Sequence, residues 1–423
     1  MNQSPRPFMR ALLDAAIESA RPERCVPLFL PEQRDAPLVV IGAGKAAAAM
    51  ARAVEAHWRG PLCGVVVTRD GYGVACERVE VLEAAHPVPD ARSVLAAERI
   101  LREVRDLGAD DHVLCLLSGG GSALMCLPGE GLTLADKQAV NAALLRSGAN
   151  IHEMNCVRRH LSRIKGGRLA RAVYPARFTT LMISDVPGDD PVDIASGPTI
   201  GDATTCTDAL TICTHYGIAL PPAARQLLGS GAGESVKPND ACFARAKHHI
   251  VAAPGQALQA AERMARASGY EVLTLGDAIT GEARDVAQDH ARLAREIARG
   301  EGPVRAPCVV LSGGELSVTV RGDGVGGRNV EYLNALAIAL DGASGIHALA
   351  ADTDGVDGAR DVAGAMISPD TLARARALGL DAADHLARND AHTFFAALGD
   401  QVITGPTRTN VNDFRALLIV PPV

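Results

Sequence analysis

The residues of this 423-residue chain best suited to chemistry are ones that handle phosphate. Ser118-Gly119-Gly120-Gly121-Ser122 follows the apolar run His112–Leu117. Consecutive glycines leave backbone N–H groups uncovered, and at a strand-to-helix junction such groups surround an anion. The two serines add hydroxyl donors. Gly42, Gly44 and Lys45 make another turn, after the run Leu38–Ile41 and before an alanine-rich stretch. A lysine at a helix N-terminus opposes the positive end of the helix dipole, and an anion between Lys45 and the backbone donors resolves that conflict. Ser312-Gly313-Gly314-Glu315 repeats the strand-then-glycine device, and Gly324–Gly327 leads into Arg328 at a helix start, a second anion site.

Acids stand at two further strand ends. Asp189 lies in the loop Ser184–Asp190, after the run Phe178–Ile183. Ligands of α/β proteins bind at such carboxyl ends, so one of the adjacent Asp189 and Asp190, with Asp189 the choice, is expected to hold Mg²⁺ or to accept a hydroxyl proton while the other caps a helix; a plain Asp-rich turn is the competing reading. Asp352, Asp354 and Asp357 miss the spacing of a calcium loop. They fit Mg²⁺ shared with a substrate phosphate, since Mg²⁺ takes only one or two carboxylates. The competing reading is a turn stabilised by its own Asp side chains. The segment Asn155–Arg168 is basic, with no Asp or Glu between Arg158 and Arg171. Its guanidinium groups match carboxylates and phosphates, and Lys165 precedes Gly166 and Gly167, where backbone can approach a ligand. A solvated basic face is the alternative for several of these residues, and His160 reads as a satisfied core histidine. Together the inventory is that of phosphoryl transfer, although the usual P-loop spacing and the protein-kinase catalytic loop are both absent.

The elements that must position these groups alternate. Strands are expected at 38–41, 64–67, 112–117 and 178–183, and helices at 8–20, 46–58, 91–106 and 133–147. A linker is expected over 229–240, where Gly-Ser-Gly-Ala-Gly dissolves the pattern. A second series follows: strands at 248–253, 271–275, 308–312 and 346–351, a hairpin arm at 316–320, and helices at 255–268, 281–299 and 328–340, with short ones between 369 and 398. Alternation favours an α/β class with largely parallel sheets.

Composition excludes other classes. The net charge of −7 and 3% aromatic content argue against nucleic-acid binding. No apolar stretch reaches membrane-spanning length. The start, Met1 to Pro5, lacks a secretory leader pattern, and ten cysteines without a C-x-x-C pair suit reduced packing residues, so a cytoplasmic location is expected.

The ordered motifs Gly42–Ala46, Leu117–Leu124, Asn155–Arg168, Ser184–Asp189, Ser312–Glu315, Gly326–Asn329, Ala351–Asp357 and Thr404–Asp413 resemble those of the glycerate 2-kinase family, whose C-terminal half is the MOFRL domain. The likeness spans nearly the whole chain. It implies transfer of the ATP γ-phosphate to the 2-hydroxyl of D-glycerate, giving 2-phosphoglycerate. It implies a two-domain α/β fold: a Rossmann-like, three-layer N-terminal domain over 1–235, a smaller α/β MOFRL domain over 236–423, and an active-site cleft between them. On this resemblance Lys45, Asp189 and Arg328 are catalytic, Lys45 and Arg328 by neutralising the transferring phosphoryl group. Gly44, Ser118, Gly119, Gly120, Gly121, Ser122, Gly313 and Gly314 hold phosphate. Arg158 or Lys165 holds the glycerate carboxylate, and Asp189, Asp352 and Asp354 hold Mg²⁺. The partners are small molecules, with no nucleic acid or membrane, and a homodimer is compatible. Two departures stand out: Arg408 replaces an expected small residue, and Ala253-Pro254-Gly255-Gln256 replaces an Asn-rich turn.

Family members are often labelled hydroxypyruvate reductase, and that activity is the competing reading. Gly42-x-Gly44-x-x-Ala47 approaches the dinucleotide fingerprint, and Arg69 at the end of the next strand suits a 2′-phosphate. Hydride transfer leaves the acidic strand ends without a task. A third reading is a non-enzymatic regulator that binds a nucleotide or a sugar acid.

Overall fold

Unbroken apolar runs make strands that are covered on both faces. Leu38–Ala43 (β1) is buried at all six positions, and His112–Leu117 (β4) at every position after His112. With Leu62–Arg69 (β2), Glu80–Ala84 (β3), Arg177–Ile183 (β5) and Ala246–Ala252 (β6) they form a six-stranded sheet of order β3-β2-β1-β4-β5-β6. β1 to β5 pair in parallel. This is the doubly wound order, whose switch point lies between β1 and β4. The register Ala43↔Leu117 ends both strands at the same level, so the turn at Gly44 and the loop at Ser118 lie side by side.

The computed structural model describes residues 4–32 and 36–421. The start Met1–Gln3, on which the expectation about a leader falls, lies outside these. The chain divides into two compact units, Pro22–Val251 and Met1–Arg21 with Ala252–Val423. This differs from the expected division at 235/236 in two ways, each with a physical reason. Val236, inside the expected linker, is fully buried; its amide donates to Gly166 O at 3.0 Å and its carbonyl accepts from Asp202 at 2.8 Å. At the other end, helix Pro5–Ser19 buries Phe8, Met9, Leu12, Leu13, Ala16 and Ile17 at helical spacing. That face packs on helix Pro254–Ala267, and Phe8 stacks on Tyr270 at 4.6 Å.

Within residues 22–251, a satellite core of Val140, Leu144, Cys156, Val157, Leu161, Cys206, Ala209 and Leu227 joins helices Leu134–Ser147, Ile151–His160, Cys206–His215 and Pro222–Gly229. Three of these helices were not expected. Two carry legible signals: Asn150 with Glu153 and Thr205 with Asp208 are capping boxes, as is the expected Thr133 with Asp136.

The other unit carries Glu271–Thr274 (β7), Gly281–Glu282 (β8), Cys308–Gly314 (β9), Leu316–Ser317 (β10), Ile346–Asp352 (β11), Gly364–Ile367 (β12), Gln401–Val402 (β13) and Asp413–Ile419 (β14). Six form a sheet of order β13-β12-β11-β14-β9-β7. It is mixed, not largely parallel: β11 runs antiparallel to β12 and β14, β14 antiparallel to β9, and only β7 is parallel to β9. The expected hairpin arm at 316–320 is instead the short β10, parallel to β8. Alanine- and leucine-rich faces of helices Ala283–Ala298 and Arg328–Leu340 close the core with Phe394 and Phe395. β14 sets Asp413 opposite both Asp352 on β11 and Gly314 on β9. Among the described residues no helix is long and apolar enough to cross a membrane, and none of the ten cysteines is in a disulfide.

Candidate active site

The turn after β1 is filled by the loop after β4. Gly44 N–H donates to Val67 O at 3.1 Å, Lys45 N–H to Gly119 O at 2.8 Å, Ala46 N–H to Ser118 Oγ at 3.0 Å and Ala47 N–H to Gly44 O at 3.1 Å. Gly44 sits at φ +141°, and a Cβ there would lie 2.1 Å from Ser118 Oγ. Glycine is therefore required at 44 for close packing, and its own amide is not offered to a phosphate. The loop itself is different. Gly120 is left-handed at φ +79°. Among the described residues, the amides of Gly119, Gly120 and Ser122 have no protein acceptor, while Gly121 N–H returns to Ser118 O at 3.1 Å. A Cβ on Gly120 would lie 2.9 Å from the His86 ring and 3.4 Å from Lys45 Cγ. Lys45 thus flanks the open amides, an electropositive corner at the switch point.

Lys165 supports this loop from within. Its ammonium is buried and donates to Ser122 O at 2.6 Å, Ser122 Oγ at 3.1 Å and Met125 O at 3.4 Å, which uses all three protons. Burial, assisted by the charge of Lys137, pushes its pKa down to about 7. Lys165 therefore holds the glycine loop, and its donors do not point to a substrate carboxylate. Ser122 Oγ also meets Ser196 Oγ at 2.8 Å, and Ser196 Oγ donates to Asn155 Oδ1 at 3.0 Å. Asn155 Nδ2 donates to Asp193 at 3.0 Å, and Asp193 pairs with Arg159 at 3.1 Å and with His152. Ala195, Ser196 and Gly197 are all left-handed, and Ala195 packs where a Cβ on Gly121 would be, 2.9 Å away. Two consecutive non-glycine residues in this region are strained, as is common at functional sites. Along the chain this turn is marked only by Ala195-Ser196-Gly197-Pro198.

Arg158 is half-buried and spends its guanidinium on Asn141 Oδ1 at 2.8 Å and Asn155 Oδ1 at 3.3 Å. It therefore braces Asn155. Asp189 is left-handed at φ +55° in the loop after β5, two strands from β1, and its neighbour Asp190 accepts from Val192 N–H at 3.0 Å.

In the other unit Arg328 lies among acids. Its Nε contacts both oxygens of Asp413 at 2.9 Å, one terminal nitrogen contacts Asp352 at 2.7 Å, and the other contacts Glu315 at 3.3 Å. Burial works against the charge, but Asp413, Asp352 and Glu315 override it and raise the pKa of Arg328. The helix Arg328–Leu340 already has an anion at its N-terminus: Asp357 accepts from the amides of Asn329 at 3.2 Å and Val330 at 3.0 Å. A Cβ on Gly327 would lie 2.4 Å from the Asp357 carboxyl carbon, so the glycine-rich run admits a carboxylate. The second anion site expected there is thus filled by the chain itself. Burial pushes the Asp357 pKa up to about 7. Gly313 is also committed: its amide donates to Gly276 O at 2.8 Å and its carbonyl accepts from the buried Arg415. Gly314, at φ +105°, packs on Ile279 backbone. Asp352 and Asp354 make the expected Asp-stabilised turns, to Asp354 N–H at 3.0 Å and Val356 N–H at 2.8 Å, and both are buried at the end of β11.

A doubly wound sheet with open loop amides and a lysine at its switch point, and a mixed sheet whose strand-end acids meet Arg328 and Arg415, define a two-unit α/β protein. A family described as a domain of unknown function (DUF4147) matches residues 8–229, and the MOFRL family matches residues 308–413. A D-glycerate 2-kinase from Thermotoga maritima is 36% identical over 97% of this chain and 97% of its own. A crystal structure of glycerate kinase from that organism covers 98% of this chain and 99% of its own, with a TM-score of 0.87 and 36% identity. An Agrobacterium vitis chain that carries the provisional name hydroxypyruvate reductase is 53% identical over 98% of this chain and 95% of its own. The chain belongs to the glycerate 2-kinase family, with a C-terminal MOFRL region.

Proposed function

We propose that the protein is a glycerate 2-kinase, transferring the γ-phosphoryl group of ATP to the 2-hydroxyl of D-glycerate. The observation that carries this over hydride transfer is the filled turn after β1. A dinucleotide pyrophosphate needs the amides at that helix start, and those of Gly44, Lys45, Ala46 and Ala47 are already engaged. The open donors lie one strand over, at Gly119, Gly120 and Ser122, beside Lys45.

In this reading the loop amides hold phosphate oxygens, and Lys45 neutralises charge as the phosphoryl group moves. Fixed donors act at full strength in a dry site because they need no reorganisation. Gly44 serves by letting Ser118 close on the turn, and Ser118 and Gly121 set the curve of the loop. Lys165, Ser196, Asn155 and Arg158 hold it in place. Asp189 accepts the 2-hydroxyl proton or contributes to a metal site.

The donor set fits Mg²⁺. Asp352, Asp413 and Glu315 share Arg328, Arg415 also reaches Asp413 at 3.4 Å, and Asp354 follows in the turn after Asp352, so four carboxylates stand against two guanidinium groups. Asp352 and Asp354 would hold the ion, which when bound supplies charge neutralisation for phosphate oxygens. Arg328 orients Asp352 and Asp413, and it would neutralise the transferring phosphoryl group by exchanging a carboxylate partner for it.

The test is a pair of assays on one preparation: ADP release with D-glycerate, ATP and Mg²⁺, and NAD(P)H oxidation with hydroxypyruvate. The kinase reading expects ADP release that requires D-glycerate and no NAD(P)H oxidation. The opposite pattern reverses it.

A further inference from the structure

We propose that His160, Cys206 and Glu234 form a binding site for a zinc-class divalent cation, separate from the glycine loop. Their ligand atoms lie within 4.8 Å of one another. His160 ends helix Ile151–His160 and is fully buried. Its Nδ1 donates to Cys156 O at 2.8 Å, which leaves the lone pair on Nε2, as a backbone carbonyl does behind a metal-bound histidine. Among the described residues Nε2 has no hydrogen-bond partner, although it is buried. Glu234 Oε1, paired with Lys237, lies 3.8 Å from it, and Asp202 Oδ2, paired with Arg159, lies 4.0 Å away. Neither cation bonds Nε2, so the buried imidazole lone pair faces two carboxylate oxygens with nothing between them.

Cys206, buried at the start of helix Cys206–His215, adds a sulfur donor. Its amide donates to Glu234 Oε2 at 3.0 Å, which turns Oε1 toward the histidine. Thiol, imidazole and carboxylate together are ligands for zinc and its neighbours, and a poor set for Mg²⁺. Asp202 is placed to be a fourth ligand or an outer partner, held by Arg159 at 3.0 Å. Zinc-ligand bonds of about 2.0–2.3 Å require the three ligand atoms to close in by roughly 1 Å. Binding forms a Zn–S bond and releases the Cys206 thiol proton to solvent. Lys237 is the competing cation. It pairs with Glu234 Oε1, but it also donates to Thr204 O and to Ser235 Oγ, acceptors it keeps when Glu234 turns to a metal. The ion would tie together two helix ends and the segment 229–240 that reads as a linker.

The full chain, stripped with chelator and dialysed against zinc, is tested by metal analysis, by Co²⁺ absorption spectra and by thermal unfolding. The expectation is one zinc per chain, a tetrahedral thiolate Co²⁺ spectrum and a higher Tm with zinc. Cys206→Ser loses all three, and Lys237→Ala binds more tightly than wild type. If C206S does not fold, Glu234→Gln on the more exposed ligand shows the same weakening. Substoichiometric zinc, a Co²⁺ spectrum without the thiolate band, equal binding by C206S, or weaker binding by K237A overturns the proposal.

Discussion

Lys165→Met separates the support of the glycine loop from the stability of the fold. In the wild type, burial lowers the Lys165 pKa from 10.5 to about 7, so holding the charge inside costs roughly 5 kcal/mol. That figure is already net of its three hydrogen bonds, and removing the lysine leaves the acceptors Ser122 O and Met125 O without it, at about 1–3 kcal/mol each. Methionine fills a similar volume, removes the charge penalty and incurs the loss at those acceptors, so the unfolding free energy is expected to stay within about 2 kcal/mol of wild type near pH 7. Activity is a different matter, because two of the three bonds fix Ser122. A loop loosened by about 1 Å costs on the order of 100-fold in turnover. The pH dependence has a defined sign. The unfolded chain holds more protons than the fold between pH 7 and 10.5, so wild-type stability rises with pH through that window, and K165M lacks this rise. The assays are urea unfolding from pH 6 to 10 and steady-state ADP release. Wild-type kcat/KM in a folded K165M, or activity lost only in proportion to the unfolded fraction, refutes the positioning role.

Three further substitutions probe other parts of the account. Lys45→Ala lowers kcat sharply, by about 100-fold or more, while the far-UV spectrum and unfolding midpoint stay near wild type; near-normal turnover removes Lys45 from the mechanism. Gly44→Ala places a methyl group 2.1 Å from Ser118 Oγ at φ +141°, so it destabilises by about 2 kcal/mol or more and prises apart the turn and the loop. Unchanged denaturant stability contradicts that packing. Asp357→Asn tests a buried acid whose folded pKa, about 7, is above its usual 3.8. Stability from its protonated form is complete below pH 3.8 and lost as pH rises through 7. The difference in unfolding free energy should therefore move toward D357N by roughly 4 kcal/mol between pH 4 and 8, and a flat difference contradicts the burial argument.

The open loop at Ser118–Ser122 was legible as a strand-to-helix turn, because three glycines between serines follow an apolar strand. The pairing of that loop with Gly44 was not, since it depends on β1 and β4 being neighbours, which only the sheet order decides. Arg328 was legible as a charged residue at a glycine-rich helix start. Its surroundings were not, because Asp413 reaches it through an antiparallel strand 85 residues away. Asp357 illustrates the same limit. Its distance in sequence from Gly327 hides that its carboxylate takes the place reserved for a ligand anion. Lys165 was found by composition and misread in purpose: a lysine before two glycines looks ligand-facing, and only burial shows that its donors turn inward. The helix Pro5–Ser19 was evident from periodicity, but the unit against which its apolar face packs was not.

The central claim is that the open amides beside Lys45 serve phosphoryl transfer to the 2-hydroxyl of D-glycerate. Phosphorus NMR of a reaction containing the protein, D-glycerate, ATP and Mg²⁺ tests it most directly, because the two phosphoglycerate isomers give separate signals. The account predicts 2-phosphoglycerate appearing in step with ADP and absent with Lys45→Ala. A 3-phosphoglycerate signal, or no phosphoglycerate from well-folded protein that oxidises NAD(P)H with hydroxypyruvate, contradicts it.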